Sequence, residues 1–381
     1  MIVPVKVTLL TNLVAPYRFA SYCALHQRAC NAGGALTVIC TSNTEPQRNW
    51  PERTPPFSQQ HLRGLHVHLG ENRLLTIPSG ISDAVRSTAP DVLVLVGFGI
   101  AQWRACNWAA KAGIPVIVQF DGWSGSDDIY SNPIRRYIRR HMLEKADGFI
   151  AASMLGRHWF ELQGVSDNRI LISPIPISFS VNGDRELQSH RRFDDREYDL
   201  LWCGRTTTRK GFGCFLEIAS ALITSGTISK IGIIGCIDTD RTKSELQNFG
   251  LPDQIDLYPQ LPPDQLQAFL ANSKLCLFPS QNDAYGLGVI EAISCGAVAL
   301  ASDAVGCAPD MLDPDEILSA NVLANWVRAC QRLLDNPAIW EQTRQNQASR
   351  ITQNTPTHHA ETLWQAINQA VQKPAGVRQW N

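Results

Sequence analysis

The chain lacks long hydrophobic runs and lacks an excess of charge of either sign. No stretch of its 381 residues approaches the roughly 20 apolar residues that a membrane-spanning helix needs. Lysine and arginine number 34 against 35 acidic residues, which gives a net charge of −1. A composition so balanced creates no global field toward nucleic acid, so any basic surface must be local. We therefore expect no nucleic-acid partner.

Disulfide, zinc and secretion signals are also missing. The eleven cysteines form no CxxC pair, and several lie in apolar runs such as DLLWC and KLCLF. Buried reduced thiols explain this pattern better than disulfides or zinc. The N-terminal segment has neither a charged n-region nor a small-residue cleavage site, so we interpret it as a first strand rather than a signal peptide. The expected location is the cytoplasm.

Short apolar runs alternate with helical patterns along most of the chain. Strands that are apolar throughout, each followed by a helix, are typical of a parallel sheet covered on both faces. The first helix is predicted from Pro16 to about Asn31. We expect strands at 5–12, 35–42, 91–98, 114–120 and 147–153 in the first half, and at 198–204, 230–235, 254–259, 274–280 and 297–302 in the second.

Breaks in this alternation predict two domains. Residues 43–60 are rich in proline and polar groups, which indicates a loop, and the charged stretch before Tyr198 indicates a linker. We predict an α/β protein with two Rossmann-like domains that face each other across a cleft. The first covers 1–178, the linker 179–197 and the second 198–356. A final helix within about 357–381 is expected to pack back onto the first domain.

The segment that follows the predicted strand at 274–280 has the strongest binding signature. Gly286 and Gly288 stand where a helix begins, so its N–H groups and dipole favour an anion such as phosphate. Asp283 precedes this turn and Glu291 follows it. Carboxylates beside a phosphate need hydroxyl partners, which a sugar and a ribose would supply. The alternative is an ordinary helix start with a capping aspartate.

A second candidate site is CGRTTTRKGFG at 203–213. Arg205 and Lys210 are suited to converge on a pyrophosphate, and Gly204 and Gly211 permit close backbone approach. The order GxxxxGK[ST] is absent, so this is not a P-loop, and it is not a dinucleotide fingerprint. The alternative for this segment alone is a basic surface turn.

Together these two segments resemble the retaining GT-B glycosyltransferases, in particular the large family numbered four, of the glycosyl transferases group 1 type. That family has an acid, seven residues and a glutamate around a glycine turn, matched here by Asp283 and Glu291. Its arginine and lysine at the start of the second domain are matched by Arg205 and Lys210. The segments NLVAPYR and KADGFIAAS fit the first domain more loosely.

The resemblance implies a function and a set of roles. The chain would move a sugar from a UDP- or GDP-linked donor to a glycan or lipid-linked acceptor, without a metal or other cofactor. Asp283 would contact sugar hydroxyls and Glu291 the ribose. The predicted donor-binding residues are Gly204, Arg205, Lys210, Tyr285, Gly286, Leu287 and Gly288. Catalysis would consist mainly of positioning and electrostatic stabilisation of the departing phosphate.

Two departures from the family pattern concern the substrates. The first acid is usually glutamate, whereas here it is Asp283, one methylene shorter. The first loop of many members has a glycine pair, which the loop from Thr11 to Arg18 lacks. The shorter acid at position 283 would affect which donor sugar is bound. The altered first loop would affect the contacts with the acceptor.

The first domain is expected to bind the acceptor. Asn12, Tyr17 and Arg18 follow the first predicted strand, and Asp121 follows the strand at 114–120. The carboxyl ends of parallel strands are where open α/β sheets bind ligands. Asp121 would orient an acceptor hydroxyl or the donor sugar as a third catalytic residue beside Asp283 and Glu291. The alternative is a turn or capping residue.

A basic amphipathic helix is predicted over 131–147, with Ser131 or Asn132 as its cap and Pro133 in its first turn. One face is expected to hold Ile134, Tyr137, Ile138 and Met142, and another Arg135, Arg136, Arg139 and Arg140. Such a helix can lie on an anionic membrane, as a peripheral contact on the inner face. It can equally be a core helix with a solvated charged face.

Two other functions use the same residues. A sugar-nucleotide epimerase or hydrolase of the same fold would need acid and base groups, and the sequence offers Asp121 without a well-placed histidine. A non-catalytic nucleotide-sugar-binding subunit would keep Arg205 and Lys210 and tolerate loss of the first-domain polar residues.

Overall fold

The structure, a computed structural model, describes residues 4–42, 53–68, 74–128, 132–177, 191–236, 238–251 and 255–372. The chain divides into two compact units. One consists of Met1–Pro176 together with Asn354–Asn381, and the other of Ile177–Gln353. Each unit is an α/β structure built on its own parallel sheet.

The first unit has a seven-stranded sheet in the order β3-β2-β1-β6-β7-β8-β9, and its strand pairs are all parallel. The strands are β1 Lys6–Thr11, β2 Ala35–Cys40, β3 Ser58–His61, β6 Val92–Val96, β7 Val116–Phe120, β8 Gly148–Ala151 and β9 Ile170–Ile172. A separate antiparallel pair is formed by β4 Gly64–His68 and β5 Leu74–Pro78.

Helices cover both faces of this sheet, as its apolar central strands require. They are α1 Pro16–Asn31, α2 Ile81–Ser87, α3 Ile100–Ala112, α4 Ser124–Asp128, α5 Pro133–Lys145 and α6 Met154–Leu162. The helix α14, Pro356–Gln372, returns to the first unit and packs against α1 and the strands β6 to β9. Leu363 and Ile367 of α14 are fully buried with β1 and β2 side chains in one core cluster. This is the closing helix that the sequence predicted.

The second unit has a six-stranded parallel sheet in the order β12-β11-β10-β13-β14-β15. Its strands are β10 Tyr198–Cys203, β11 Ile231–Ile234, β12 Ile255–Tyr258, β13 Ser273–Phe278, β14 Val298–Ser302 and β15 Ile317–Leu318. Its helices are α7 Phe212–Thr224, α8 Thr239–Asn248, α9 Pro263–Ala271, α10 Leu287–Ser294, α11 Ala308–Met311, α12 Leu323–Leu334 and α13 Pro337–Arg350. The buried indoles of Trp326 and Trp340 belong to the core of this unit.

The predicted strands agree with the observed ones within a few residues, and the α/β class is confirmed. The structure adds β3, which overlaps the end of the loop predicted at 43–60, and the short edge strands β9 and β15. Part of the predicted linker is packed structure, since Arg196 is buried and donates to the carbonyls of Ala271 and Ser273. Residues 178–190, the rest of that region, lie outside the described residues.

The basic helix α5 differs from its prediction in the faces it presents. Asn132 caps it by accepting from the Arg135 N–H, while Ser131 lies outside the described residues. Ile138 and Met142 are buried, but Ile134 and Tyr137 are 71% and 60% exposed.

The four arginines of α5 do not share one surface. Arg139 is buried and paired with Asp127, so it faces the interior and not a membrane. Burial lowers the pKa of Arg139, and the adjacent carboxylate of Asp127 opposes this effect. The exposed arginines are Arg135, Arg136 and Arg140.

Packing of α14 is predicted to hold the first unit together. Leu363→Ala removes a fully buried side chain and should destabilise this unit by about 2–5 kcal/mol, because a cavity remains where the isobutyl group packed. Gln369→Ala, at an exposed position of the same helix, should change stability by no more than about 0.5 kcal/mol. Hydrogen–deuterium exchange of the β7 and β8 amides measures both. Equal protection in the two variants would contradict the prediction.

Candidate functional site

The second unit has a topological switch point between β10 and β13. From β10 the chain proceeds outward to β11 and β12 on one side, and then crosses to β13 and continues outward on the other. Turns that follow neighbouring strands at such a point diverge and leave a crevice beyond the carboxyl ends, which is where open α/β sheets bind ligands. Both segments that the sequence identified lie at this edge, one after β10 and one after β13.

The turn after β10 lies directly against the turn after β13. Gly211 has a φ of +79°, and a Cβ atom there would stand 1.8 Å from the carbonyl oxygen of Pro279. The Gln281 N–H donates to the carbonyl of Arg209 at 3.0 Å, and the Arg209 Nη1 donates to the carbonyl of Asn282 at 3.1 Å. Only glycine allows so close an approach at position 211. The two turns therefore form one local structure.

This arrangement brings Lys210 to Asp283. The Lys210 Nζ donates to the Asp283 Oδ2 at 2.5 Å, and the side chains are 25% and 16% exposed. The backbone of Asp283 is fixed independently, because its N–H donates to the carbonyl of Ala304 and its carbonyl accepts from Gly306. The ammonium of Lys210 is thus held at the carboxyl edge while remaining partly open to solvent.

Close packing also fixes the start of α10. Gly286 has a φ of +103°, and a Cβ atom there would lie 2.4 Å from Val305 Cγ1. A Cβ atom on Gly288 would lie 2.6 Å from the ring of Phe278. The N–H groups of Leu287 and Gly288 stand in the first turn of α10, where no carbonyl of the helix itself can accept from them. Together with the helix dipole they favour an anion.

Glu291 lies near the carboxyl edge of the sheet, whereas Tyr285 is buried in the interior. Burial raises the pKa of the Cys203 thiol, and the charge of Glu291 raises it further while Lys210 lowers it. Glu291 and Lys210 are therefore both close to the end of β10. Tyr285 is buried, and its carbonyl accepts from the Cys307 N–H at 2.7 Å.

The first turn of the β10 loop is likewise anchored to its neighbours. The Gly204 N–H donates to the carbonyl of Ile234 at 3.0 Å, and the carbonyl of Gly204 accepts from Trp202 Nε1 at 2.7 Å. Arg205, the next residue, is partly buried. Arg209 and Asn282 join the two turns, and the sequence motifs did not identify them for this role. Their position beside Lys210 and Asp283 was the available signal.

In the first unit, Arg18 is held inside the protein. The Arg18 Nη2 donates to Asp121 Oδ1 at 2.7 Å, and Nη1 donates to His359 Nε2 at 2.7 Å. The amide oxygen of Gln119 is placed toward Arg18, where it accepts from both terminal nitrogens, since the reverse orientation would oppose donors to donors. The Arg18 side chain is 4% exposed. The hydrogen-bond partners of Arg18 are all inside the protein, so its side chain does not offer an open surface for an acceptor.

His359 is the neutral centre of this cluster. It is fully buried, and burial together with the charges of Arg18 and His358 holds its pKa well below the usual value. Because Arg18 donates to Nε2, the ring proton lies on Nδ1, which donates to Ser173 Oγ at 2.6 Å. By contrast, burial lowers the pKa of Arg18, but the adjacent carboxylate of Asp121 raises it, and the net pKa is raised.

The remaining candidates of the first unit lie at the same carboxyl edge. Asn12 is exposed and its Oδ1 accepts from Thr41 Oγ1 at 3.3 Å, while Tyr17 is partly buried. Asp121 follows β7 and its side chain is 29% exposed. Sequence reasoning missed His359, because 341 positions separate it from Arg18 and a lone histidine in an amphipathic helix carries no functional pattern.

Comparison with known proteins identifies the family. Residues 184–355 match the family described as glycosyl transferases group 1, and residues 20–176 match the glycosyl transferase 4-like domain. The second unit therefore carries a glycosyl transferases group 1 domain, and the first unit carries a glycosyl transferase 4-like domain. Together the two matches account for most of both units.

Individual relatives of this glycosyltransferase are distant. The D-inositol 3-phosphate glycosyltransferase of Acidothermus cellulolyticus is 22% identical over 51% of this chain and 49% of its own. The chain therefore spans about half the length of the curated relatives it matches.

Solved structures share the fold over nearly the whole chain. Sucrose-phosphate synthase from Thermosynechococcus elongatus superimposes with a TM-score of 0.67 at 16% identity, covering 96% of this chain and 98% of that one. Anabaena HepE in complex with UDP gives 0.70 at 11% identity, covering 95% and 99%. The GT-B fold that the sequence predicted is thereby confirmed.

The part of the chain that the structure describes contains neither a membrane-spanning helix nor a cluster of metal ligands. No helix there combines the length and apolar character of a bilayer crossing. Nor do three histidine, cysteine, aspartate or glutamate side chains of the described residues cluster as metal ligands. Metal independence stays a prediction from the family resemblance.

The buried neutral state of His359 predicts a pH dependence of stability. Its folded pKa lies well below the ordinary value of 6.5, so an unfolded chain takes up a proton near pH 6.5 that the folded chain refuses. The resulting stability is present above that pH and is lost as the pH falls. Relative to His359→Gln, the wild type should lose up to about 1.4 kcal/mol per pH unit below about pH 6.5. Urea unfolding across a pH series measures this, and parallel profiles would contradict it.

Proposed function

We propose that this chain is a retaining glycosyltransferase, which moves a sugar from a UDP- or GDP-linked donor to a hydroxyl of a glycan or lipid-linked acceptor. In this proposal the second unit binds the donor and the first unit binds the acceptor. Family membership supports sugar transfer as the reaction class. The observation that carries the donor site is the contact of the Lys210 turn with the turn that begins α10.

The diphosphate of the donor suits this edge of the second unit. As the bond to the sugar breaks, negative charge collects on the departing phosphate oxygens, and a fixed cation with aligned N–H groups stabilises that charge. Lys210, assisted by Arg205, would supply the cation, and Leu287 and Gly288 the N–H groups. No new acid or base is needed on the leaving side, because a nucleoside diphosphate departs as a stable anion.

The existing pair between Lys210 and Asp283 does not prevent diphosphate binding. The Lys210 and Asp283 side chains keep 25% and 16% of their exposure, so solvent and a ligand can reach the pair. A diphosphate carries more charge than one carboxylate and accepts several charge-assisted hydrogen bonds. It therefore competes for the Lys210 ammonium. Asp283 is assigned to the sugar hydroxyls, and Glu291 near the end of β10 is assigned to the ribose.

Asp121 is assigned to the acceptor or to the transferred sugar. Its carboxylate lies at the carboxyl end of β7 and is partly open, so it can accept a hydrogen bond from a hydroxyl and orient it. Asn12 and Tyr17 are assigned to the acceptor at the same edge. The curated relative acts, by its name, on D-inositol 3-phosphate, which makes that compound the first acceptor to test.

Lys210→Ala should weaken binding of the donor's diphosphate. Loss of a charge-assisted contact costs about 1.5–3 kcal/mol, which corresponds to roughly a 10- to 150-fold rise in Kd. Isothermal titration with UDP, GDP and ADP identifies the base and measures the loss.

Lys243→Ala is the matched control, because it removes an exposed lysine from α8 of the same unit. It should bind the diphosphate as the wild type does. Wild-type affinity in Lys210→Ala, or no binding of any diphosphate to the folded wild type, would refute the donor site.

Product analysis separates transfer from the other reactions. Incubation of UDP-glucose with D-inositol 3-phosphate should release UDP and form a glycoside whose anomeric proton has the donor's configuration. An epimerase would instead alter the sugar on UDP without an acceptor, and a hydrolase would release free sugar. A non-catalytic subunit would bind UDP and turn nothing over.

We also propose that α5 contacts an anionic membrane surface. At 100° per residue, Arg136, Arg140, Tyr137 and Ile134 follow one another around the exposed side of the helix. Tyr137 stacks on His141 with ring centroids 5.7 Å apart, so the aromatic surface is ordered. Basic side chains beside exposed apolar ones are the composition that binds an interface with acidic lipids.

Substitution of Arg135, Arg136 and Arg140 by glutamine should reduce co-sedimentation with phosphatidylserine-containing vesicles at low salt. Each basic residue near such a surface contributes about 1 kcal/mol, so the loss should exceed tenfold in the partition coefficient. Arg86, Lys111 and Arg241, changed together to glutamine, provide a control with the same loss of charge elsewhere. Equal loss in both triple variants would attribute binding to net charge alone. No sedimentation of the wild type would exclude the membrane contact.

A further inference from the structure

A buried chain of hydrogen bonds links the closing helix α14 to the carboxylate of Asp121. It runs from Ser173 Oγ through both ring nitrogens of His359 to Arg18, and from Arg18 to Asp121 Oδ1. These four residues come from the end of β9, the first turn of α14, the first turn of α1 and the end of β7. All four positions lie at the carboxyl edge of the first sheet.

Packing alone does not require this chain. Ser173 and His359 are fully buried, and Arg18 is a nearly buried charge. Burial of a guanidinium is costly unless its donors are all engaged, whereas the contact between α1 and α14 elsewhere is made by apolar side chains such as Leu25 and Leu363. The polar cluster is therefore better explained by what it holds in place than by helix docking.

Among these four residues, Asp121 is the one whose side chain is partly exposed to solvent. Arg18 fixes Asp121 Oδ1 at 2.7 Å, while the Asp121 side chain as a whole is 29% exposed. Asp121 Oδ2 accepts no hydrogen bond from any residue that the structure describes. The hydrogen bond from Arg18 therefore fixes Oδ1, and this contact determines the direction in which Oδ2 points.

We propose that His359 is a positioning residue for Asp121. The neutral imidazole, with its proton on Nδ1, presents Nε2 as an acceptor that fixes the rotamer of Arg18. Arg18 in turn fixes the plane of the Asp121 carboxylate, so that Oδ2 faces a substrate hydroxyl. The identity of that substrate depends on the proposed function. The geometry of the hydrogen-bond chain depends on the first unit alone.

The test compares two replacements of His359. His359→Gln retains an acceptor for Arg18 and a donor for Ser173, whereas His359→Leu retains neither. With UDP-glucose and D-inositol 3-phosphate, His359→Leu should lower kcat about tenfold, the size of coupling expected within one hydrogen-bond network. KM for UDP-glucose should stay within about twofold, because the donor's diphosphate is assigned to the second unit. His359→Gln should recover most of kcat.

Ile367→Ala controls for loosening of α14. Ile367 is fully buried on the same helix, away from Arg18. The two variants are compared at an equal loss of thermal stability. If His359→Leu then lowers kcat no more than Ile367→Ala does, His359 serves only to dock α14 and the inference is overturned. In an Asp121→Asn background, His359→Leu should cost no further kcat, since its effect passes through that carboxylate.

A second measurement does not depend on turnover. The carboxyl carbon of Asp121, labelled with ¹³C and assigned by Asp121→Asn, should change its NMR chemical shift in His359→Leu and retain it in His359→Gln and Ile367→Ala. An unmoved signal in His359→Leu overturns the inference. If the signal follows His359 but the wild type transfers no sugar from UDP- or GDP-linked donors, the proposed function fails and the positioning role stands.

Discussion

The close approach of two backbone turns at the switch point of the second sheet is the constraint on which the candidate donor site depends. Gly211 touches the carbonyl of Pro279 in a conformation that only glycine adopts readily. This contact aligns Arg209 with Gln281 and so brings Lys210 to Asp283. Without it, the cation and the start of α10 would belong to separate loops. Sheet topology provides the neighbouring strands, and the missing Cβ allows their turns to meet.

Prediction from sequence succeeded where burial is uniform and failed where partners are remote. The central strands are continuous apolar runs, so their positions follow from composition. The strand β3, SQQH, is polar, because it lies at the sheet edge with only β2 beside it. Local patterns placed Lys210 and Asp283 after their strands, and adjacency of those strands then implied a shared edge. No local pattern links Arg18 to His359, since only the return of α14 to the first unit brings them together.

Each unit carries a cation paired with a carboxylate at its carboxyl edge, but the two cations differ in burial. The Arg18 side chain is 4% exposed, whereas that of Lys210 is 25% exposed. Breaking a buried pair leaves a charge without solvent or partner and is strongly unfavourable, whereas a cation that solvent can reach changes partners at a smaller cost. Arg18 is therefore suited to be a fixed support, and Lys210 to transfer its contact from Asp283 to a ligand. Sequence alone assigned both cations to ligand binding, because exposure is not visible in a motif.

The fixed backbone of Asp283 limits how far its carboxylate extends from the end of β13. A glutamate, the usual residue in the family pattern, would extend one methylene further from the strand end. Asp283 cannot recover that distance by a backbone shift, because its N–H and its carbonyl are both bonded to the segment around Val305. Its carboxylate is therefore kept close to Lys210 and to the end of β13. In the proposed donor site, a sugar that contacts Asp283 would lie correspondingly nearer the strand end.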